Sequence, residues 1–461
     1  VQEAVNASLN EKDVVKVSGY CAGTLNLIQT LTVQGGWSTN MLDYNPALYT
    51  TTLDAAGGGT VVTALDPLDQ GVEPRVENLI LTGGSGSKGG GVYINKASAV
   101  FSNVLIVGNT SASSGGGVYI DFFSVPKFFD SIIENNSVST GGGGVYMVES
   151  GAKFDNVIIR NNTGALDGGG VYIKKGAPEF ANSTILGHSV SGYGGGFYLE
   201  ETSSQLSNNR IEGNRAGVGG GVYAYRSPAS LKFNQILTNT ATASPEFVLI
   251  VPVEPGGGGG VYAESSDIRI VNNVIEYNVA NGGDGAGIHM WNFRQPEISG
   301  NVIARNRGNG VYLRQTPSIF KIYILVPPVL PPPFGPELIL PIPTPAAVRM
   351  RHNTIAHNTG AGIHAFGETN IELVNNLIYR NGGGGVVTEE EVFLHLIIIF
   401  FSIPFVPIPI PVPIPIPVFF PPTASLSYTY WGEDGPDVSP SSSVFADFAQ
   451  DNDLSGENPA F

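Results

Sequence analysis

A block reading Gly-Gly-Gly-Val-Tyr returns along this chain at near-constant spacing, and that recurrence limits the fold more than any other feature. Its valine position, or the residue standing there, falls at Val92, Val118, Val145, Val171, Phe197, Val222, Val261, Ile288, Val311, Ile363 and Val386. The steps are 26, 27, 26, 26, 25, 39, 27, 23, 52 and 23 residues. Self-similarity at such a period marks a stack of repeated supersecondary units, not a set of independent globular domains.

Between blocks the sequence alternates apolar and polar residues in short stretches punctuated by Gly and Asn. This pattern predicts two or three strands per unit and leaves no room for a long helix. Each unit then forms one coil of an all-β, right-handed, single-stranded parallel β-helix, with equivalent residues of successive coils stacked in columns. A second motif, Asn-x-Ile-x-x-Asn, follows most blocks, as in Asn234 to Asn239 and Asn353 to Asn358. Its first position predicts one asparagine column: Asn103, Asp130, Asn156, Asn182, Asn209, Asn234, Asn273, Asn301, Asn353 and Asn376. Such a column satisfies turn backbone groups and bonds along the axis. The glycine triplets are expected to supply corners of positive φ.

Side chains alternate along a strand, so the apolar positions Val92 and Ile94 share the inner face and Tyr93 points outward. The outward column reads Tyr93, Tyr119, Tyr146, Tyr172, Tyr198, Tyr223 and Tyr262, then His289, Tyr312 and His364. Two readings stay open: an aromatic stack that supports the sheet, or a platform facing sugar rings or a partner.

Organisation follows from where the repeat holds. Residues 1–85 lack the triplet and are expected to form an N-terminal cap and first irregular coils. Residues 86–424 carry the regular coils with insertions at 244–255, 319–345 and 392–422, and 425–461 form a last coil and acidic tail. Val1 in place of methionine suggests a processed start.

The formal charge of −16, from 23 basic and 39 acidic residues, excludes nucleic acid as a partner, since phosphate binding needs clustered Lys and Arg. The single cysteine, Cys21, rules out an internal disulfide and reads as a small, buried residue.

The triplet blocks paired with Phe-x-Asn segments (Phe101-Ser-Asn103, Phe154-Asp-Asn156, Phe180-Ala-Asn182) resemble the pectin-lyase-like right-handed β-helix proteins of bacterial surfaces. They are similar to the repeats of polymorphic outer-membrane proteins. The resemblance implies an extracellular or cell-surface location. It leaves the activity open, because the family includes adhesins, structural shells and polysaccharide-cleaving enzymes. The paired aspartates, Gly-His-Gly and Arg-x-Lys of polygalacturonase-like members do not occur here. The cluster of Arg349, Arg351, His352, His357 and His364 reads as outward positions of a coil, and the runs Glu389 to Glu391 and Asp451 to Asp453 lack the ligand spacing of a calcium loop. The expectation is therefore a non-enzyme with no catalytic residues, cofactor or metal.

The insertions carry the specific information, because surface loops are ordinarily polar and these are not. The first holds Phe247, Val248, Leu249, Ile250 and Val251. The second holds Ile322, Tyr323, Ile324, Leu325, Phe334, Leu338, Ile339 and Leu340 around a proline-rich centre. The third holds Phe393, Leu394, Ile397, Ile399, Phe401, Phe405, Ile408, Ile410, Val412, Ile414, Ile416, Phe419 and Phe420, with proline at every second position from Pro407 to Pro417. In an extended strand those prolines erase the N–H donors of one edge only, so the run is expected to pair with Val392 to Phe401 as a hairpin protected on its proline side. Proline density excludes a transmembrane helix, while an apolar hairpin is still able to touch a membrane or cell envelope. The resulting expectation is a structural protein that self-associates through these hairpins as a homo-oligomer, filament or surface-layer subunit. An adhesin or glycan-binding protein is the alternative, and a polysaccharide lyase or hydrolase a third.

Overall fold

The computed structural model describes residues 1–8, 13–164, 166–242, 257–281, 285–315, 346–367, 369–389, 391–398, 413–420, 423–427 and 438–439. Three long parallel sheets of 14, 14 and 13 strands run its length. One coil crosses all three: Val92–Asn95 lies in the first sheet, Val100–Ser102 in the second and Leu105–Val107 in the third. Each strand then pairs in register with its counterpart one coil on, as Val92 with Val118, Phe101 with Phe128 and Ile106 with Ile133. The repeat period is thus the circumference of a solenoid whose parallel strands connect with the usual right hand.

The strands are short, mostly three or four residues, because each sends its central or alternate residue inward and then turns a corner. Val92, Ile94, Phe101 and Ile106 are fully buried, and the same positions of later coils repeat the pattern. Inside, Phe101, Phe128, Phe154 and Phe180 stack with centroids 4.7, 4.8 and 4.5 Å apart. A short helix, α1 (Gln2–Ala7), places Val5 against this core at the N-terminal end. Cys21 is half-buried and packs against the core edge, less enclosed than its neighbours suggested.

Corners of the coil use residues in the left-handed region, such as Lys96 after the first sheet, Asn103 after the second, Asn135 after the third and Gly142 before the next first-sheet strand. Between the second and third sheets the residue is, for example, Asn78, Asn103, Asp130, Asn156, Asn182, Asn208, Phe233, Asn272, His352 or Asn375, with φ between 48° and 58°, or Gly300 at 67°. This corrects the asparagine column expected from the motif. Asn103, Asp130, Asn156 and Asn182 are exposed corner residues. Asn209, Asn234, Asn273, Asn301, Asn353 and Asn376 stand one position later and are buried. Strand pairing sets Thr184 beside Arg210, which aligns Asn209 with Ser183 and not with Asn182. The motif matched both registers because doubled isoleucines such as Ile158-Ile159 offer an Ile two residues after either position; a one-residue slip then exchanges inside for outside.

The six buried residues form one internal ladder. Each side-chain amide before the last donates to the carboxamide oxygen one coil on, as Asn209 to Asn234 at 3.1 Å and Asn234 to Asn273 at 3.0 Å, and Asn376 ends the run by donating to Met350 O. A second ladder lies beyond the third sheet: Asn109, Asn136, Asn162, His188, Asn214, Asn239, Asn278, Asn306, Asn358 and Asn381. These carboxamides satisfy backbone groups that a narrow, dry interior otherwise leaves unpaired.

The glycine triplet serves three separate demands, and only its first member is a corner. Gly142 has φ 69°, and a Cβ there would meet Tyr146 Cβ at 2.7 Å. Gly143 lies against backbone of the next coil, where a Cβ would come within 2.5 Å of Gly169 O. Gly144 leaves room for the ladder, since a Cβ would stand 2.9 Å from Asn162 Nδ2 and 2.7 Å from Ile159 Cγ2.

Candidate functional site

The outward tyrosines form a continuous stack. From Tyr119 through Tyr146, Tyr172, Tyr198 and Tyr223 to Tyr262 the ring centroids lie 5.1, 4.7, 4.4, 5.2 and 5.3 Å apart, with planes within 22° of parallel. Tyr93 meets Tyr119 edge-on at one end. At the other, His289, Tyr312 and His364 continue the column in tilted and edge-on contacts. Each ring face in the stack is therefore covered by the next ring; Tyr119, Tyr223 and Tyr262 are buried, and only the edges of Tyr146, Tyr172 and Tyr198 are half-exposed. A sugar laid flat on a ring has no open face to use along this run.

The residues two positions further along the same strands line the column and bond to it. Tyr172 donates to Glu200 Oε2 at 2.8 Å, and Lys174 Nζ holds Glu200 Oε1 at 2.9 Å. Tyr223 donates to Glu264 at 2.8 Å, and Lys88 pairs with Asp121 at 3.0 Å. Burial pushes the Tyr146 phenol up to about 12 and raises Tyr172, Tyr198, Tyr223 and Tyr262 as well, with the Glu200 or Glu264 charge adding to each. These hydroxyls stay protonated donors at ordinary pH and are unsuited to act as phenolate bases. Asp167 lies on the same side; burial raises its carboxyl while the Tyr193 N–H, donating at 2.7 Å, opposes the shift.

The second candidate is the third insertion. Glu391–Ile398 and Pro413–Phe420 pair antiparallel as a two-stranded sheet separate from the three sheets of the solenoid. Leu394 stands opposite Pro417, Leu396 opposite Pro415 and Ile398 opposite Pro413. Phe393, Leu394 and Ile397 lie on the first arm and Ile414, Ile416, Phe419 and Phe420 on the second. Ile399, Phe401, Phe405, Ile408, Ile410 and Val412 fall outside the described residues, as do Phe247 to Val251 and Ile322 to Leu340. The flanking strands locate the insertions all the same. Residues 316–345 and 390–422 both lie between a first-sheet and a second-sheet strand, whereas 243–256 precede a first-sheet strand.

Residues 90–275 and 253–392, together more than half of the chain, match the family described as right handed beta helix region. The chain belongs to this family. Solved structures with similarity to this β-helix include the A-module of the mannuronan C-5 epimerase AlgE6 of Azotobacter vinelandii, at 13% identity over 84% of this chain and 89% of that one, with a TM-score of 0.41. A mannuronic acid specific polysaccharide family 6 lyase from human gut microbiota matches at 10% identity, covering 99% and 88% of the two chains with a TM-score of 0.38. PfbA, a surface adhesin of Streptococcus pneumoniae, matches at 10% identity over 84% and 87%, with a TM-score of 0.28. No curated protein matches the sequence.

The β-helix scatters the Arg and His cluster over different faces. Arg349 and Arg351 point outward from the second sheet and share Glu372 at 3.0 and 3.1 Å. His352 and His357 are corner residues, and the His357 ring sits edge-on to Tyr379. His364 belongs to the first sheet beside Tyr312. Glu389 stands in the first sheet opposite Phe366, while Asp451 to Asp453 lie outside the described residues.

Two features escaped the sequence reading. His188 occupies an asparagine rung of the second ladder, visible in retrospect as the one histidine at a position otherwise held by Asn. One extra residue at the corner after the first sheet places Phe122 and Phe123 consecutively at positive φ, exposed by 48% and 77%. That extra residue is the only trace of it in the sequence, as the step of 27 from Val118 to Val145.

Proposed function

We propose that this β-helix is a bacterial cell-surface structural protein that self-associates through its apolar, proline-rich hairpins, the solenoid serving as a stiff carrier. The observation that supports this most is the sheet of Glu391–Ile398 and Pro413–Phe420, which stands apart from the three solenoid sheets. Its residues are almost wholly apolar, and an apolar sheet of that kind needs a covering surface. The tyrosine column, the phenylalanine stack of Phe101 to Phe180 and the asparagine ladders suit a carrier, because between them they tie coil to coil along the solenoid.

The test is the mass of purified protein by light scattering and its appearance by electron microscopy, with and without residues 391–422. Defined assemblies of the intact chain and a monomer of unchanged β-sheet spectrum after deletion are the expected results. Monomers in both cases would sink the proposal.

A second reading, contact with a glycan, is favoured by the half-exposed phenol edges of Tyr146, Tyr172 and Tyr198 beside Glu200 and Lys174. Such groups exchange hydrogen bonds with sugar hydroxyls without needing an open ring face. A panel of soluble neutral and acidic oligosaccharides, titrated calorimetrically, tests it. Any binding is expected to weaken about tenfold in Glu200→Gln, the loss of one charge-assisted hydrogen bond, and the absence of binding to wild-type protein would refute the reading.

A further inference from the structure

The register of the third-insertion hairpin determines which of its edges is able to take another strand. In an antiparallel pair, opposed residues alternate between pairs that exchange two backbone hydrogen bonds and pairs that exchange none. Pro413, Pro415 and Pro417 have no N–H, so their pairs with Ile398, Leu396 and Leu394 are the non-bonded ones. The hairpin ladder therefore runs through Ile414–Ile397, Ile416–His395 and Val418–Phe393. Two consequences follow. The outer edge of the proline arm offers carbonyls and no donors at Pro413, Pro415 and Pro417. The outer edge of the first arm carries complete N–H and C=O sets at Val392, Leu394, Leu396 and Ile398, and among the described residues neither arm pairs with any other strand.

We infer that the free edge of Glu391–Ile398 pairs antiparallel with the same edge of a second copy, so that contact through this hairpin stops at two chains. The inference rests on the self-association proposed above and specifies its geometry. The occupant is a second copy because the edge is self-complementary about its own middle. With Leu394 opposite Leu396 of the copy and Val392 opposite Ile398, all four outward residues are paired in both directions, giving roughly eight backbone hydrogen bonds. A shift by two residues in either direction leaves one of the four unpaired. The resulting four-stranded sheet has a proline arm at each outer edge. Along Pro413 to Pro417 neither is able to donate to a fifth strand, and the single outward N–H at Phe419 does not make a ladder, so the two-fold contact is closed and does not propagate.

His395 lies at the centre of this register, opposite itself in a non-bonded pair, where Cα atoms are about 4.5 Å apart and within disulfide reach. In a Cys21→Ala background, His395→Cys is expected to oxidise quantitatively to a covalent dimer, while Phe393→Cys is not. Leu396→Pro removes an outward N–H and leaves the hairpin ladder intact, so it is expected to convert the dimer to monomer with the solenoid's spectrum unchanged. A dimer that survives Leu396→Pro, a failure of His395→Cys to cross-link, or growth to fibres would each overturn the inference. In those cases, loss of assembly on deleting 391–422 would still uphold self-association through the insertion; monomeric wild-type protein would remove both.

Discussion

Replacing Asn278 with alanine is expected to destabilise the β-helix by about 2–4 kcal/mol, at one to two kcal/mol for each of two buried donors left without a partner. Asn278 Oδ1 accepts from both the backbone N–H and the side-chain amide of Asn239, at 2.9 and 3.1 Å. Its own Nδ2 donates to Ile236 O at 2.9 Å and to Asn306 at 3.1 Å. Asn278 is fully enclosed, so no water replaces what alanine removes. The Asn239 backbone N–H and one of the two hydrogens of its side-chain amide would be stranded in the interior, while the amide keeps Ile211 O at 2.9 Å. Asn156 provides the contrast. It is an exposed corner residue whose side chain reaches Asp130 at 2.6 Å, and Asn156→Ala is expected to cost about 1 kcal/mol, mainly for alanine's reluctance to adopt the left-handed region. Urea unfolding of the two variants, with hydrogen exchange at the Asn239 amide, measures the difference. Equal costs would mean that the ladder bonds contribute little net stability.

That contrast also shows where the sequence was legible. The period, the inward aliphatic columns and the outward tyrosines follow from alternation alone, because a strand has only two faces and the repeat states which residues share one. The two arms of the third insertion were readable for a similar reason: proline at every second position leaves one productive edge, and Leu394, Leu396 and Ile398 do stand opposite prolines. The asparagine column was not readable, since exposed corner Asn and buried ladder Asn are the same letter one position apart, and only pairing such as Thr184 with Arg210 separates them. Nor does a column of tyrosines reveal whether its rings lie flat on the sheet or stack along the axis. The stacked arrangement removed the open ring faces on which a sugar platform depends.

His188 should make the second ladder acid-sensitive at a single rung. Its ring is wholly enclosed, with Nδ1 2.9 Å from Asn214 Oδ1 and Nε2 3.4 Å from Asn162 Nδ2. A neutral imidazole protonated at Nδ1 fits both neighbours, donating to the carboxamide oxygen and accepting from the amide. Burial depresses its pKa from 6.5 to about 4, and the hydrogen bond to Asn214 only partly offsets this. Because the folded value lies below the unfolded one, the neutral ring contributes its full stability above pH 6.5, and that contribution is lost as pH falls toward 4. The loss amounts to about 3 kcal/mol by pH 4. His188→Asn supplies the residue found at the other rungs and has nothing to titrate there. The stability difference between variant and wild type is therefore expected to widen in the variant's favour by about 3 kcal/mol between pH 7.5 and pH 4, whatever its starting value. Carboxylates that titrate over the same range, Asp167 among them, are common to both proteins and cancel in the comparison. A difference that stays constant across the range would show that the His188 ring gains a proton without cost, and hence that the coil opens around it before the solenoid unfolds.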